Sequence, residues 1–199
     1  MKRKVLELRP TQFAVGMYEV EERSQKIRAL KSHELEKYLE DRPVPVVLCH
    51  QGEAHVVDRH HLVRACWEAG VERVVTKIEA DLSHLDKHAF WEEMKRRNWT
   101  HLQDQFGKGP HPPQNLPLDV RGLADDVFRS LAWAVREAGG YAKTEQPFCE
   151  FHWADFFRPK IQIERTTKGI RHAVGKAMEL ACSNEAKHLP GFLHKKSAD

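Results

Sequence analysis

The chain of 199 residues has few cysteines, and they lie far apart, at Cys49, Cys66, Cys149 and Cys182. With no CxxC pair, the sequence indicates neither a zinc ribbon nor a thioredoxin-like redox site. Cys49 and Cys66 lie among apolar residues, where a buried free thiol is the ordinary expectation. The cysteines therefore predict buried thiols rather than a metal or redox centre.

Long apolar runs are missing as well. No segment approaches the roughly 20 apolar residues that are needed to span a bilayer. The N-terminal residues 1–8 are basic but lack the long apolar core of a signal peptide. We therefore expect a cytoplasmic protein that has no membrane partner.

The excess of positive charge is small, a formal +3, and does not by itself indicate a nucleic-acid partner. Two short basic runs, Lys95-Arg96-Arg97 and His194-Lys195-Lys196, leave nucleic acid open as a partner, although an exposed helix face and a solvated tail explain them equally well. Hydrophobic residues make up 41% and charged residues 31%, values that are typical of a globular protein. The thirteen histidines are conspicuous, because histidine binds metals and phosphates and transfers protons. The oligomeric state is left open.

Strand patterns are confined to the first part of the chain, residues 1–80. They alternate with two helical patterns. Ser32, inside the first pattern, is a candidate N-cap at which a second helix would begin. The predicted strands are 5–8, 44–49, 54–57 and 73–79, and the predicted helices are 24–39 and 59–69. This order predicts a small mixed sheet with helices.

The second part, residues 81–185, predicts a helical extension packed on that core. Its predicted helices are 83–97, 125–138, 148–157 and 161–182. Residues 106–118 hold four prolines and are predicted to be a loop. Residues 186–199 are expected to form a polar tail that frays. The predicted fold class is therefore α+β.

A dense polar cluster, Asp58-Arg59-His60-His61, lies between a predicted strand and a predicted helix. Asp58 is a good N-cap for the helix, and Gly70 is a good stop. The first-turn amides of a helix have no partner within it, and the helix dipole attracts anions to that end. The cluster is therefore a candidate phosphate site, in which protonated His60 and His61 would add charge-assisted bonds.

Two other interpretations of this cluster remain open from the residues alone. Asp58 and one histidine could supply two metal ligands, but a third ligand would have to come from elsewhere in the chain. A capped helix with exposed histidines explains the same spacing without any ligand.

The stretch from residue 44 to residue 70 resembles the core of the ParB/sulfiredoxin superfamily. ParB-type domains carry D-G-E-R-R-x-R-A there, and Asp58, Arg64 and Ala65 match that motif. The free-serine kinases of the superfamily carry D-G-H-H-R, which Asp58, His60 and His61 match better. The sequence is most similar to the ParB-like nuclease family of bacterial proteins, with its D-x-H-H-L-x-R-A core. Further likeness extends over most of residues 5–161, in Leu8-Arg9-Pro10-Thr11-Gln12, Val15-Gly16, Lys26, Phe90-Trp91, Asp126, Arg129-Ser130-Leu131, Gly139-Gly140-Tyr141 and Phe151-His152-Trp153-Ala154-Asp155-Phe156.

The resemblance implies a nucleotide-binding enzyme that cleaves or transfers a phosphoryl group, as a kinase, an NTP hydrolase or a nuclease. Superfamily members bind ATP, ADP or CTP at the start of the corresponding helix. In this chain, Arg59, His60, His61 and Arg64 would hold the phosphate, while Asp58 would orient it or coordinate Mg²⁺.

Three positions depart from the related motifs. Arg59 replaces a glycine that lets phosphate approach the backbone closely, and Leu62 replaces an arginine of the kinase pattern. The catalytic cysteine of sulfiredoxin corresponds to His60, which argues against sulfiredoxin chemistry. The chain therefore cannot be equated with a ParB CTPase or a serine kinase.

Residues outside the cluster complete the expected site. By the resemblance to the serine kinases, Glu21 is the candidate base. Gln12 and Lys26 are candidate phosphate contacts. Arg129 either enters the same pocket or forms a structural ion pair with Asp125 or Asp126.

A second polar cluster contains His152, Asp155 and Arg158. His152 and Asp155 are three residues apart and share a face of a predicted helix, so this cluster is a candidate to close over the first pocket. No helix-turn-helix is evident, which argues against a centromere-binding role. The alternative to an enzyme is a non-catalytic module that senses a nucleotide or anion and binds a partner protein.

Overall fold

The computed structural model describes residues 1–50 and 52–193 and confirms the predicted α+β class. The chain divides into two compact units. The first unit comprises Met1–Val15 and Val20–Asp125, and the second comprises Gly16–Glu19 and the chain from Asp126 onward. In the described ranges, no helix is both long enough and apolar enough to cross a membrane.

A five-stranded mixed sheet forms the centre of the first unit, and a separate parallel pair of strands completes the strands that the structure describes there. The strands are β1 (Lys2–Lys4), β2 (Leu8–Arg9), β3 (Ala14–Val15), β4 (Val44–Leu48), β5 (Ala54–Val56), β6 (Arg73–Asp81) and β7 (Ala124–Asp125). The strand order of the sheet is β1-β6-β4-β5-β2, and the separate pair is β3 and β7.

The central strand β4 is the most apolar part of the sheet. Val44, Val46 and Val47 are fully buried, as expected for a strand that is covered on both faces. β4 pairs in parallel with β6 and antiparallel with β5, to which a short hairpin connects it. The hairpin therefore lies at one end of these strands, and the turn that follows β5 lies at the opposite end, beside the start of β4.

The described part of the chain contains seven α-helices. In the first unit, Phe90, Trp91 and Met94 of the fourth helix pack with Val47 and Leu82. The helices are α1 (Met17–Ala29), α2 (Ser32–Glu40), α3 (His60–Glu68), α4 (Lys87–Arg96), α5 (Val127–Glu137), α6 (Cys149–Phe157) and α7 (Thr167–Ala181).

The core of the second unit is built around Trp153 of α6. Its ring stacks on Tyr141 with a centroid separation of 4.3 Å, and its indole N–H donates to the carbonyl of Pro190 at 2.8 Å. The buried hydroxyl of Tyr141 donates to the carbonyl of Ala132 at 2.9 Å. Both polar aromatic groups thus keep a hydrogen bond inside an apolar core, which avoids the cost of burying them unpaired.

Three predictions of element boundaries are wrong near the N-terminus. The strand expected at residues 5–8 is mostly a 3-10 turn, Val5–Glu7, and the edge strand is Lys2–Lys4 instead. This strand forms because it pairs with the start of β6, about seventy positions later in the chain, which no local pattern shows. The first helix begins at Met17 rather than at residue 24, and Ser32 is the first residue of α2 rather than its N-cap.

The two units divide after Asp125 rather than at residue 80. Residues 81–125 belong to the first unit because β7 returns to pair with β3. The tail predicted from residue 186 is also wrong at its start, since Ala186 is fully buried and Phe192 forms a β-bridge with Tyr141. The rest of that prediction, residues 194–199, lies outside the described residues.

Candidate functional site

The start of α3 differs in detail from the predicted capped helix. Arg59, not Asp58, is the N-cap, and its backbone is left-handed with φ of 67°. The Asp58 carboxylate accepts a hydrogen bond from the adjacent Arg59 amide at 2.6 Å, so it does not cap the first turn. Glycine adopts this backbone conformation without strain. A glycine at this position, as in the related motifs, therefore suits the left-handed backbone as well as the close approach of a phosphate.

Arg59 is half-buried. Among the residues that the structure describes, its Nη1 atom is buried and has no hydrogen-bond partner. An unsatisfied buried donor on a charged group is costly. Arg59 thus adds a positively charged donor to a helix end that already favours anions.

His60 is buried and neutral. Its Nε2 accepts a hydrogen bond from the Thr11 amide at 3.1 Å, and the Thr11 hydroxyl donates to the carbonyl of Val56 at 2.7 Å. Burial lowers the pKa of His60 from its usual 6.5 to about 3, against a smaller opposing effect of its hydrogen bond to the Val56 backbone. His60 therefore does not carry the positive charge that the sequence predicted for phosphate binding.

His61 and Arg64 occupy defined positions on α3. His61 is only 9% exposed, which contradicts the interpretation of α3 as a helix with exposed histidines. The three guanidinium nitrogens of Arg64 are engaged with Glu68 at 2.9 Å and with the carbonyls of Val120, Arg121 and Leu123 at 2.8–3.3 Å. Arg64 therefore holds the segment around residue 121 against α3, instead of pointing unpaired toward a phosphate.

The predicted contacts from the N-terminal region differ in burial. Glu21 and Lys26 are exposed on α1. Gln12 is buried, and its side-chain amide donates to the carbonyl of Ala14 at 2.7 Å. The roles of Glu21 as a base and of Gln12 and Lys26 as phosphate contacts stay predictions.

Arg129 belongs to the second unit and forms an ion pair there. Its Nη2 lies 3.3 Å from a carboxylate oxygen of Glu19 and 3.8 Å from one of Glu150, and the Arg129 and Glu19 side chains are less than 10% exposed. The carboxylate partners of Arg129 are therefore Glu19 and Glu150 rather than the predicted Asp125 or Asp126, and Asp126 instead caps α5 and pairs with Arg158. Sequence reasoning missed Glu19 and Glu150, which lie far from Arg129 along the chain.

The second predicted cluster is only partly assembled. Arg158 pairs with the buried Asp126 at 2.9 Å and with Asp155 at 3.5 Å. His152 and Asp155 are both exposed on α6. Arg158 thus compensates the charge of the α5 N-cap, which is a structural role, and the lid role of the cluster stays a prediction.

A third cluster was not predicted. In the described ranges, the group of three side chains able to share one metal ion is Cys49, Glu53 and His55, and Asp58 is not part of it. The sequence signal was the spacing C-x3-E-x-H across a hairpin turn.

For Mg²⁺ at the start of α3, Asp58 supplies one exposed carboxylate, which fits an ion that is held mainly by phosphates and water.

One protein-family model matches most of the chain. The family model described as "Putative ParB-like nuclease" matches residues 1–159. The chain belongs to the ParB-like nuclease family. The resemblance drawn from the D-x-H-H-L-x-R-A motif is therefore confirmed. No curated protein matches the chain.

Two solved structures are similar to this ParB-like chain. The crystal structure of protein Atu1540 from Agrobacterium tumefaciens is 41% identical with a TM-score of 0.89, and the match covers 97% of this chain and 95% of that one. The C-terminally truncated chromosome-partitioning protein ParB from Caulobacter crescentus, solved in complex with the centromeric parS site, is 14% identical with a TM-score of 0.32, over 91% of this chain and 97% of that one. At those values the likeness to the parS complex says nothing about what this chain binds.

Proposed function

We propose that this ParB-like chain binds the phosphate of a nucleotide or polynucleotide at the start of α3. The observation that carries the proposal is the Arg59 guanidinium, whose Nη1 is buried without a partner among the described residues. Arg59 is the N-cap of α3, next to the first turn of the helix, where amides have no partner within the helix. A phosphate would accept hydrogen bonds from both sources.

The ligand proposed for this site is ATP, ADP or CTP with Mg²⁺. Mg²⁺ usually keeps several waters and binds through one or two carboxylates together with the phosphates. Asp58 is exposed next to Arg59 and supplies one such carboxylate. A polynucleotide would present the same phosphate chemistry, which makes nucleic acid a second ligand to test.

Phosphoryl cleavage or transfer is the finer proposal, and the family's nuclease description supports it. Catalysis of this kind depends mostly on positioning and on charge stabilisation. In this scheme Arg59 holds the phosphate, Asp58 orients it or binds Mg²⁺, and Glu21 is the base. The neutral His60 is a positioning residue, because its Nε2 is occupied by the Thr11 amide.

A non-catalytic sensing module is the alternative, and one observation favours it. A histidine whose acceptor nitrogen is already bonded and whose pKa lies near 3 is a poor general base or acid near pH 7. The conspicuous histidine of the motif would then stabilise the pocket without taking part in chemistry. Ligand binding would be read by a partner protein.

Binding is tested by calorimetry with Mg-ATP, Mg-CTP and a short DNA duplex on the purified chain. Arg59→Asn removes the cation while keeping a residue that tolerates the left-handed backbone. We expect it to weaken binding of the best ligand at least about tenfold, or about 1.4 kcal/mol. Arg73→Asn, an equal charge change on an exposed arginine of β6, is the control and should bind like the wild type.

Turnover separates the two functions. Phosphate release from the nucleotides and cleavage of DNA are measured with Mg²⁺ on the wild type, Asp58→Asn and Glu21→Gln. Binding without turnover supports the sensing module, whereas turnover that Asp58→Asn abolishes supports the enzyme. Equal affinity of Arg59→Asn and the wild type, or no binding of any of the three ligands, would overturn the phosphate site.

A further inference from the structure

The β4–β5 hairpin brings three metal-ligating side chains together at one end of the central sheet. The Cys49 amide donates to the carbonyl of Glu53 at 3.1 Å, and the Gly52 amide donates to the carbonyl of Cys49 at 2.8 Å, which closes the turn. His55 follows on β5, with its side chain toward the same cluster. The ligand atoms of Cys49, Glu53 and His55 all lie within 4.8 Å of one another.

His55 is buried with a ring nitrogen to spare. The residue is 8% exposed, and its Nδ1 has no hydrogen-bond partner among the described residues. Phe90 and Trp91 hold the ring, at centroid distances of 4.9 and 5.4 Å. A buried and unpaired ring nitrogen with a fixed orientation points to a missing ligand.

The carboxylate of Glu53 is oriented by a neighbouring arginine. Arg9 donates from Nε and Nη2 to the same oxygen, Oε1, with the Nε distance at 3.0 Å. The other oxygen, Oε2, lies 3.9 Å from the Cys49 thiol sulfur. Arg9 thus occupies one oxygen and leaves the other directed at the cluster, as residues that support a metal ligand commonly do.

The cluster borders a cavity of about 300 Å³ within the first unit. Phe90, Trp91 and Leu116 also line this cavity, and Lys87 and Gln114 add polar groups. Catalytic zinc sites hold the ion with three protein ligands and leave the fourth position to water or substrate. The cavity provides the space for that fourth ligand.

We propose that Cys49, Glu53 and His55 form an open, three-ligand zinc site whose fourth position faces this cavity. Sulfur, imidazole and carboxylate together suit Zn²⁺, whereas Mg²⁺ and Ca²⁺ prefer oxygen ligands alone. In a tetrahedral site the donors lie about 3.5 Å apart, so small side-chain rotations of Cys49 and Glu53 complete the coordination. On binding, the Cys49 thiol releases its proton to solvent and the sulfur forms a bond to zinc.

This zinc site is independent of the phosphate site at α3, and either can fail without the other. The test uses the purified full chain, freed of metal and reduced, and titrated with Co²⁺ as a spectroscopic substitute for Zn²⁺. We expect one Co²⁺ per chain, a thiolate-to-cobalt charge-transfer absorption, and displacement of the cobalt by one equivalent of Zn²⁺. Zinc calorimetry in buffers of different ionisation enthalpy should show release of a proton.

Variants assign the ligands. Cys49→Ser should abolish the thiolate band, and Glu53→Gln should weaken Zn²⁺ binding at least about tenfold. Cys182→Ser replaces another half-buried cysteine, outside the cluster, and should leave both signals unchanged. Circular dichroism checks that each variant is folded. Absence of saturable binding at one ion per chain, a band that survives Cys49→Ser, or a band lost with Cys182→Ser would each overturn the site.

Discussion

Protonation of His60 should couple the stability of this fold to pH. The side chain is 5% exposed, and its Nε2 accepts the Thr11 amide, an interaction that only the unprotonated nitrogen can make. The pKa is about 3 in the folded chain and 6.5 when the chain is unfolded. Between these values the unfolded chain binds a proton that the folded chain does not. The free energy of unfolding therefore rises with pH across this window.

The sign and the size of the effect follow from that difference. The contribution of His60 is fully present above pH 6.5 and is lost as the pH falls from 6.5 toward 3. The slope is about 1.4 kcal/mol per pH unit in the middle of the window. Relative to pH 8, His60 alone should remove about 2 kcal/mol of stability at pH 5. This is a large share of the roughly 5–15 kcal/mol that stabilises a typical domain.

The measurement is urea denaturation of the wild type and of His60→Gln between pH 5 and pH 8. Glutamine keeps an acceptor for the Thr11 amide and cannot titrate, so we expect the pH dependence of unfolding to flatten by about one proton per chain. His152→Gln, which changes an exposed residue of α6, is the control. If wild type and His60→Gln lose stability in parallel as the pH falls, the account of a buried neutral His60 is wrong.

Three further predictions concern arginines, and all are checked by urea denaturation. Arg64→Ala should lower the free energy of unfolding by about 1–3 kcal/mol, because it leaves the carbonyls around residue 121 without their donor; an unchanged midpoint would contradict this role. Arg59→Val should be about 1 kcal/mol less stable than Arg59→Asn, because branched side chains resist a φ of 67°; equal stabilities would argue against the left-handed backbone. Arg129→Met should cost about 3–5 kcal/mol because it removes the guanidinium that lies 3.3 Å from the buried Glu19 carboxylate, and adding Glu19→Gln should recover part of the loss; strictly additive costs would show that the pair is not coupled.

The central part of the fold could be predicted because its signals are local. The valine-rich run predicted β4 (Val44–Leu48), and the adjacent turn and polar cluster predicted β5 and the start of α3 within one or two residues. Helix starts and hairpin turns depend on residues close in sequence, so their patterns can be recognised without a structure. The same locality made the family motif recognisable.

The edge of the sheet and the unit boundary could not be predicted in this way. β1 exists because it pairs with the start of β6, and β7 belongs to the first unit because it pairs with β3. Such pairing depends on contacts between residues that are far apart in the chain, and the strands themselves are only two or three residues long. A pattern of so few residues carries too little information to define a strand.

The sequence by itself determined which residues of the candidate site lie together, since Asp58 to His61 are consecutive at the start of α3 and Cys49 to His55 share one hairpin. Only the tertiary structure decided their charge and their partners. Thr11, almost fifty positions earlier in the chain, buries and occupies His60, while Phe90 and Trp91 bury the ring of His55. Protonation depends on solvation, and solvation depends on residues that are remote in sequence.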